Sequence, residues 1–141
     1  QMWWYQTCKN SETSNENHGG KMNKTIGHVK TTYKVTAGDM DYVLVGAFEG
    51  GSNYWIEKVS VVDNDYKGGE YASDVIGLGG ELLIHVSDGD TIKLTQAKLL
   101  NGFQLYVDEG GKNFPFDLTS PDAITYDLIL QYALFGEVIY G

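Results

Sequence analysis

The pattern of apolar and polar residues changes its period several times along the chain. Where the two kinds alternate, every second side chain falls on the same face of a strand. This alternation predicts strands over residues 28–35, 54–62, 81–87 and 91–94. The last two are separated by Asp88-Gly89-Asp90, a turn sequence that predicts a hairpin. Residues 71–76 fit a short strand and a helical turn equally well.

Three further stretches have apolar residues at helical spacing. They follow Thr36, Thr95 and Ser120, whose hydroxyls can accept a hydrogen bond at a helix N-terminus. Asp39, three residues after Thr36, completes a capping-box pattern. The residues predicted to face the core are Met40, Val43, Leu44, Ala47 and Phe48 in the first helix, Leu99, Leu100, Phe103, Tyr106 and Val107 in the second, and Ile124, Leu128, Tyr132 and Phe135 in the third.

Glycines mark the predicted ends of these helices. Gly50 or Gly51 is predicted to end the first helix in a left-handed conformation, Gly110-Gly111 the second and Gly136 the third. The predicted order of elements is β-α-β-β-β-α-α. It is typical of an α+β domain with a mainly antiparallel sheet and helices packed on one face of that sheet.

The first 25 residues differ in composition from the rest of the 141-residue chain. They begin with Trp3-Trp4-Tyr5 and continue as a polar run rich in Asn, Ser and Gly, which is typical of a linker. We interpret residues 1–25 as a flexible tail or an added segment and residues 26–141 as a single domain. Cys8 is the only cysteine, which excludes an internal disulfide. Because the apolar runs are too short to span a membrane and the first residues do not match a secretory signal, we expect a soluble protein with no membrane partner.

Charge is distributed unevenly along the chain. Residues 1–35 carry five lysines against two acids, a net charge of +3, and residues 36–141 carry five lysines against seventeen acids, a net charge of −12, which together give −9. The chain contains no arginine, the residue that most often contacts phosphates and guanine edges. We therefore expect no direct binding to nucleic acid. An acidic body instead favours basic partners, including the nucleic-acid-binding grooves of other proteins, although solubility alone also explains it.

The adjacent pair Tyr54-Trp55 is the part of the sequence least explained by folding. Its side chains point to opposite faces if the segment is a strand, so one of them is predicted to be exposed. Glu49 and Glu57 lie on either side of the pair. An exposed aromatic ring flanked by acids is typical of a protein-binding surface, and core packing is the alternative interpretation.

An acidic loop follows the second predicted strand. It contains Asp63, Asp65, Glu70 and Asp74, which we predict to contact a partner. Its spacing partly matches a calcium-binding loop, but the fifth position is Lys67 and the twelfth is aspartate rather than glutamate. A plain acidic turn is the better interpretation, and we predict no metal or other cofactor.

His85 is a candidate for acid–base chemistry within the predicted sheet. It lies near Ser87, Asp88 and Asp90 in sequence, so a histidine base with a serine nucleophile is conceivable. The pattern around this serine is that of a hairpin and not of a nucleophile elbow. We therefore interpret His85 as structural and assign no catalytic residue.

From about residue 36 to 141 the chain resembles a family of small proteins common in phages and in mobile elements of gut bacteria. The resemblance is carried by Ala47-Phe48-Glu49-Gly50-Gly51-Ser52-Asn53-Tyr54-Trp55, Glu70-Tyr71-Ala72-Ser73-Asp74, Gly79-Gly80-Glu81-Leu82, Leu94-Thr95, Leu100-Asn101-Gly102 and the stretch from Gln131 to Gly141, which reads QYALFGEVIYG. The first and last blocks are the most specific. The resemblance implies a genetic setting in which inhibitors of host defence are frequent, and it brings no established activity or catalytic residue with it.

Three hypotheses about function follow. The leading one is a non-enzymatic accessory protein that binds and inhibits a host protein in the bacterial cytoplasm, such as a defence nuclease, in the manner of an anti-CRISPR protein. The second is a protein that binds a small molecule, for example a signalling nucleotide sequestered from a defence system. The third is a small hydrolase that uses His85.

Overall fold

The computed structural model describes residues 20–29, 32–110 and 123–141, and the chain divides into two compact units, residues 1–33 and 34–141. In the first unit, helix α1 spans Gly20–Asn23. The division lies eight residues after the predicted boundary of 25. The aromatic start of the chain, the loop containing Phe114, the Ser120 cap and Gly111 all lie outside the described residues.

The second unit contains four helices and three strands among its described residues. They are α2 (Ala37–Gly46), β1 (Ile56–Val61), α3 (Ala72–Gly77), β2 (Leu82–Val86), β3 (Thr91–Leu94), α4 (Gln96–Leu105) and α5 (Ala123–Phe135). A π-helical turn follows α2 (Ala47–Gly51) and another follows α4 (Tyr106–Gly110). The predicted α+β domain with an antiparallel sheet is confirmed.

The sheet is a meander in the order β1-β2-β3, antiparallel throughout. Ile84 in the central strand pairs with Val59 on one side and Ile92 on the other. Leu82, Ile84 and Val86 are buried while the residues between them are half-buried, so one face of the sheet packs against the core. The predicted hairpin around Asp88-Gly89-Asp90 is confirmed, with Gly89 at a φ of 107°.

The capping box predicted at the start of α2 is also confirmed. Thr36 Oγ1 accepts from Asp39 N at 3.1 Å, and the Asp39 carboxylate accepts from Thr36 N at 2.9 Å. Thr95 caps α4 in the same way by accepting from Lys98 N at 3.2 Å. The bonds are reciprocal at Thr36 and single at Thr95, and they satisfy amide groups at the helix N-terminus that would otherwise be unpaired.

One predicted local structure is wrong, and one ambiguous segment takes the helical of its two alternatives. Residues 24–29 and 32–36 have no regular secondary structure, so the strand predicted over residues 28–35 is not formed in the part that the structure describes. Alternation gives a strand a buried face, but the backbone also needs a partner strand for its amides. The ambiguous segment is helical: Asp74 accepts from the backbone amides of Glu70 and Tyr71 and thereby starts α3.

The end of α2 and the buried faces of α4 and α5 also differ from the prediction. Leu100 on α4, predicted to face the core, is 49% exposed. Gly50 and Gly51 are not left-handed; instead they form the π-helical turn. Gly51 permits a close approach, because a Cβ there would lie 2.4 Å from the carbonyl oxygen of Ala123. In α5 the buried residues include Tyr126, Ile129, Leu130 and Ala133, whereas Ile124, predicted to face the core, is 68% exposed. Gly136 ends α5 with a φ of 74°, as predicted.

Candidate functional site

The carboxylate of Asp127 on α5 is buried and accepts hydrogen bonds from four side chains. Oδ1 accepts from Ser52 Oγ at 2.8 Å and from Trp55 Nε1 at 2.7 Å. Oδ2 accepts from Tyr54 OH at 2.6 Å and from Gln131 Nε2 at 3.2 Å. Asp127 is 6% exposed, so these donors take the place of the water that a carboxylate would otherwise bind. The carboxylate thereby fastens the loop before β1 to α5.

In this network Tyr54 and Trp55 both donate to the Asp127 carboxylate. Residues 53–55 form a turn and β1 begins only at Ile56, so the two side chains do not alternate as they would in a strand. Trp55 is 1% exposed and lies in the core, whereas Tyr54 is 55% exposed. The prediction that Trp55 contacts a partner is therefore corrected, because its ring is covered by the protein itself. Tyr54 is the exposed member of the pair.

Gln131, one turn after Asp127 on α5, holds the last residues of the chain. Its Oε1 accepts from the amides of Ile139 and Tyr140, both at 2.9 Å, and its Nε2 donates to the Tyr140 carbonyl oxygen at 3.3 Å. The Tyr140 ring stacks on the Trp55 ring with centroids 5.2 Å apart and an angle of 4° between the planes. Its hydroxyl donates to Asp88 Oδ2 at 3.1 Å. The segment after α5 therefore has a defined path along α5 and the β2–β3 turn.

A groove of about 390 Å³ lies between the segments that this network joins. The loop before β1 supplies one side of the groove, the first half of α5 the second and the C-terminal segment the third. The lining residues are Gly50, Gly51, Tyr54, Ala123, Ile124, Asp127, Leu128, Val138, Tyr140 and Gly141. Ile124 and Val138 are 68% and 39% exposed, so the groove presents aliphatic side chains to solvent beside the Tyr54 ring. It has the composition of a contact surface.

Burial of the Tyr54 hydroxyl and its hydrogen bond to Asp127 make the stability of the protein change with pH in the alkaline range. Burial of the phenol, followed by the bond to Asp127 and the negative charge of that residue, raises the pKa of Tyr54 from 10.0 to about 12. Because the unfolded chain releases this proton first, Tyr54 contributes stability below pH 10 that is lost as the pH rises towards 12.

We expect the alkaline loss of stability to be smaller in Tyr54→Phe than in the wild type. The measurement is the free energy of unfolding in urea at a series of pH values between neutrality and the pKa of Tyr54, together with titration of tyrosinate absorbance. Since phenylalanine has no proton to lose, the absorbance difference between the two proteins isolates Tyr54. An unchanged alkaline slope, or a difference titration centred at the ordinary tyrosine pKa of 10.0, would contradict the assignment.

The predicted acidic contact residues divide into exposed and internally bonded groups. Glu49, Glu57, Asp63, Asp65 and Glu70 are exposed. Asp65 forms an ion pair with Lys67 at 3.0 Å, and the hydrogen bonds from Lys67 lower the pKa of the Asp65 carboxyl.

Asp74, the last of the predicted contact residues, is half-buried and caps α3. Backbone donation from Tyr71 and then Glu70 lowers the pKa of its carboxyl. The acids of the loop thus serve different roles, and Asp74 is a structural cap rather than a free surface charge. Within the described ranges, no three His, Cys, Asp or Glu side chains cluster so as to hold a metal ion.

His85 lies on the outward face of the sheet, between two hydroxyl groups. Its Nε2 is 3.1 Å from Ser60 Oγ on β1, and its Nδ1 is 3.1 Å from Thr91 Oγ1 on β3. The residues near it in sequence are bonded elsewhere: Ser87 Oγ donates to the Trp55 carbonyl oxygen at 2.9 Å, and Asp88 accepts from Tyr140. His85 is therefore bonded to Ser60 and Thr91 and not to Ser87, Asp88 or Asp90. His85 links three strands.

Asp127 and Gln131 are the residues of this site that the sequence does not reveal. Both stand among apolar residues of α5, and a buried polar pair in a helix carries no motif of its own. The structure brings the segments 47–55 and 131–141 into contact through the network, which neither segment shows by its own pattern.

Comparison with protein-family models, curated proteins and solved structures gives no match to this chain. Across the residues that the structure describes, no helix has the length and apolar character needed to cross a membrane.

Proposed function

We propose that the protein is a non-enzymatic accessory protein that binds a basic partner protein, and that its concrete role is to inhibit a host defence nuclease by occupying the groove in which that nuclease holds nucleic acid. The observation that carries this proposal is an excess of exposed carboxylates without a cationic neighbour. The exposed acids among the described residues are Glu49, Glu57, Asp63, Asp65, Glu70, Asp88, Asp90, Asp108, Glu109 and Glu137.

Few of these charges are paired with a lysine among the residues that the structure describes. The ion pairs of the described part of the chain are Lys67–Asp65 and Lys93–Glu81, so Asp65 is the one exposed acid that has a lysine partner. Unpaired surface carboxylates at this density repel nucleic acid and attract a positively charged groove. This is the electrostatic pattern by which an acidic protein competes with a phosphate backbone.

The groove beside Tyr54 favours a protein over a nucleotide as the partner. Its lining contains one ionisable acid, Asp127, and no lysine among the described residues that form it. A phosphate-bearing ligand would meet a carboxylate there and no cation. The second hypothesis, sequestration of a signalling nucleotide, therefore has no support from this groove.

A cleavage assay with a panel of purified RNA-guided nucleases tests the proposal. We expect inhibition that added DNA substrate relieves, because both ligands would occupy the same groove. The matched variant is the triple substitution Glu49→Gln, Glu57→Gln and Glu70→Gln, which removes three exposed charges whose side chains take part in no ion pair. We expect the variant to fold normally and to inhibit about tenfold more weakly. Equal inhibition by the variant, or inhibition that excess DNA does not relieve, would contradict the proposal.

A further inference from the structure

The groove between the Tyr54 loop, α5 and the C-terminal segment has the features of a preformed anchor site. Tyr54 is exposed over just over half of its surface, yet its hydroxyl is fixed to Asp127 at 2.6 Å. An aromatic side chain that is already ordered loses little conformational entropy when a partner covers it. The Tyr54 ring is therefore a contact that a partner can use at low entropic cost.

The other walls of the groove are fixed in the same way. Gln131 bonds both backbone amides of Ile139 and Tyr140, and Tyr140 stacks on the buried Trp55 ring. On the opposite side Ile124 projects from α5, a regular helix of 13 residues. An aliphatic wall, an aromatic wall and a fixed backbone segment together form a concave site for a bulky apolar side chain.

Exposed acids neighbour residues that line the groove, and we call these acids its acidic rim. Glu49 is adjacent in sequence to the lining residue Gly50, and Glu137 is adjacent to the lining residue Val138; both acids are exposed. The exposed Asp88 accepts from the hydroxyl of the lining residue Tyr140. Three exposed carboxylates thus neighbour the groove lining, two through the chain and one through a hydrogen bond, and the complementary ligand has an apolar centre with cations on either side.

We infer that this groove binds a segment of the partner protein in which one bulky apolar side chain is flanked by lysine or arginine residues. The inference rests on the proposed function, because it names the segment by which the basic partner would be held. The apolar side chain would lie between Tyr54, Ile124 and Val138, and the flanking cations would meet the acidic rim. Charge would guide the approach, and the apolar contact would give the complex its lifetime.

Titration of the isotope-labelled full chain with two synthetic peptides, followed by NMR, tests the inference. The first peptide is Lys-Lys-Leu-Lys-Lys with blocked ends, and the second has serine in place of leucine, so that the two differ only in the apolar side chain. We expect the leucine peptide to shift amide signals within residues 50–54, 123–128 and 138–141 and to bind about tenfold more tightly than the serine peptide.

Two matched variants make the test specific for the groove. In Ile124→Ser we expect the preference for leucine to disappear, whereas in Leu100→Ser it should remain, since Leu100 is a 49%-exposed aliphatic residue on α4 outside the groove lining. Equal affinity of the wild type for the two peptides, or signal shifts confined to other surfaces, would overturn the inference and leave the charge-based proposal standing. A retained leucine preference in a protein that inhibits none of the nucleases would overturn the proposed function and leave the groove assignment standing.

Discussion

Asp127→Ala is expected to lower the free energy of unfolding by about 3 kcal/mol or more, because it leaves several buried donors without an acceptor. Ser52 is 0% exposed and Trp55 is 1% exposed, so water cannot replace the lost bonds at either donor without entering the core. Each unsatisfied buried donor costs about 1–3 kcal/mol. Removing the carboxylate also removes the cost of burying its charge, which offsets part of the loss. Leaving the buried donors Ser52 and Trp55 without an acceptor costs more than removal of the buried charge gains.

Urea unfolding monitored by circular dichroism measures this loss. Asp127→Asn keeps the shape of the side chain but presents an amide NH₂ where one carboxylate oxygen accepted hydrogen bonds, so we expect an intermediate loss of about 1–2 kcal/mol. Asp90→Ala is the control, since Asp90 is an exposed aspartate on the β2–β3 turn; its change should stay within about 0.5 kcal/mol. A loss below about 1 kcal/mol in Asp127→Ala would show that the network does not hold the loop to α5.

Gly102→Ala is expected to destabilise the protein, although alanine is the better helix former. Gly102 lies in α4, and a Cβ there would stand 2.6 Å from the Ile129 carbonyl oxygen and 2.7 Å from the Ala133 Cβ of α5. Both are closer than van der Waals contact, and the first atom belongs to the backbone, so the two helices must move apart. Overpacking of this kind costs about 1–3 kcal/mol or more. That cost outweighs the gain of about 1 kcal/mol in helix propensity.

The same substitution at Gly38 should have the opposite sign. Gly38 lies in the exposed first turn of α2, where the nearest atom to an added Cβ is Thr36 Oγ1 at 3.7 Å. We expect Gly38→Ala to raise the free energy of unfolding by about 0.4–1 kcal/mol. Urea unfolding of both variants gives the comparison. A stabilised Gly102→Ala protein would mean that α4 and α5 are not as close as described.

The elements that the sequence predicts correctly are those determined by neighbouring residues. The capping box of Thr36 and Asp39 involves residues three apart, and the hairpin at Gly89 requires only a turn that fits the twist of its strands. Both depend on local hydrogen bonds and backbone conformation. They would form the same interactions in almost any surrounding fold.

The prediction fails where apolar residues surround a helix. In α5 the predicted residues Ile124 and Leu128 fit helical spacing, but so does the series Tyr126, Ile129, Leu130 and Ala133, which lies in the core; Tyr132 is buried as predicted. Periodicity alone does not choose between two apolar faces of one helix. The choice follows from which face meets α4 and the sheet, and the face left over carries Ile124 and Leu128 into the groove.

The Asp127 network is beyond sequence reasoning for a different reason. Its donors Ser52, Tyr54 and Trp55 lie 75, 73 and 72 residues before their acceptor. Only the tertiary fold brings the loop before β1 onto α5, so neither segment shows the pairing by its own pattern. The sequence does mark Tyr54 and Trp55 as unexplained, and the structure separates them into one core ring and one exposed ring.

The most direct test of the central claim is the salt dependence of binding to a nuclease that the protein inhibits. We expect the association constant of the wild type to fall steeply as salt concentration rises, because unpaired carboxylates face a basic groove. The Glu49→Gln, Glu57→Gln and Glu70→Gln triple variant should show a shallower fall, whereas Ile124→Ser should bind more weakly at every salt concentration with the same slope as the wild type. An association constant of the wild type that does not change with salt would contradict the claim that its acidic surface occupies a nucleic-acid groove.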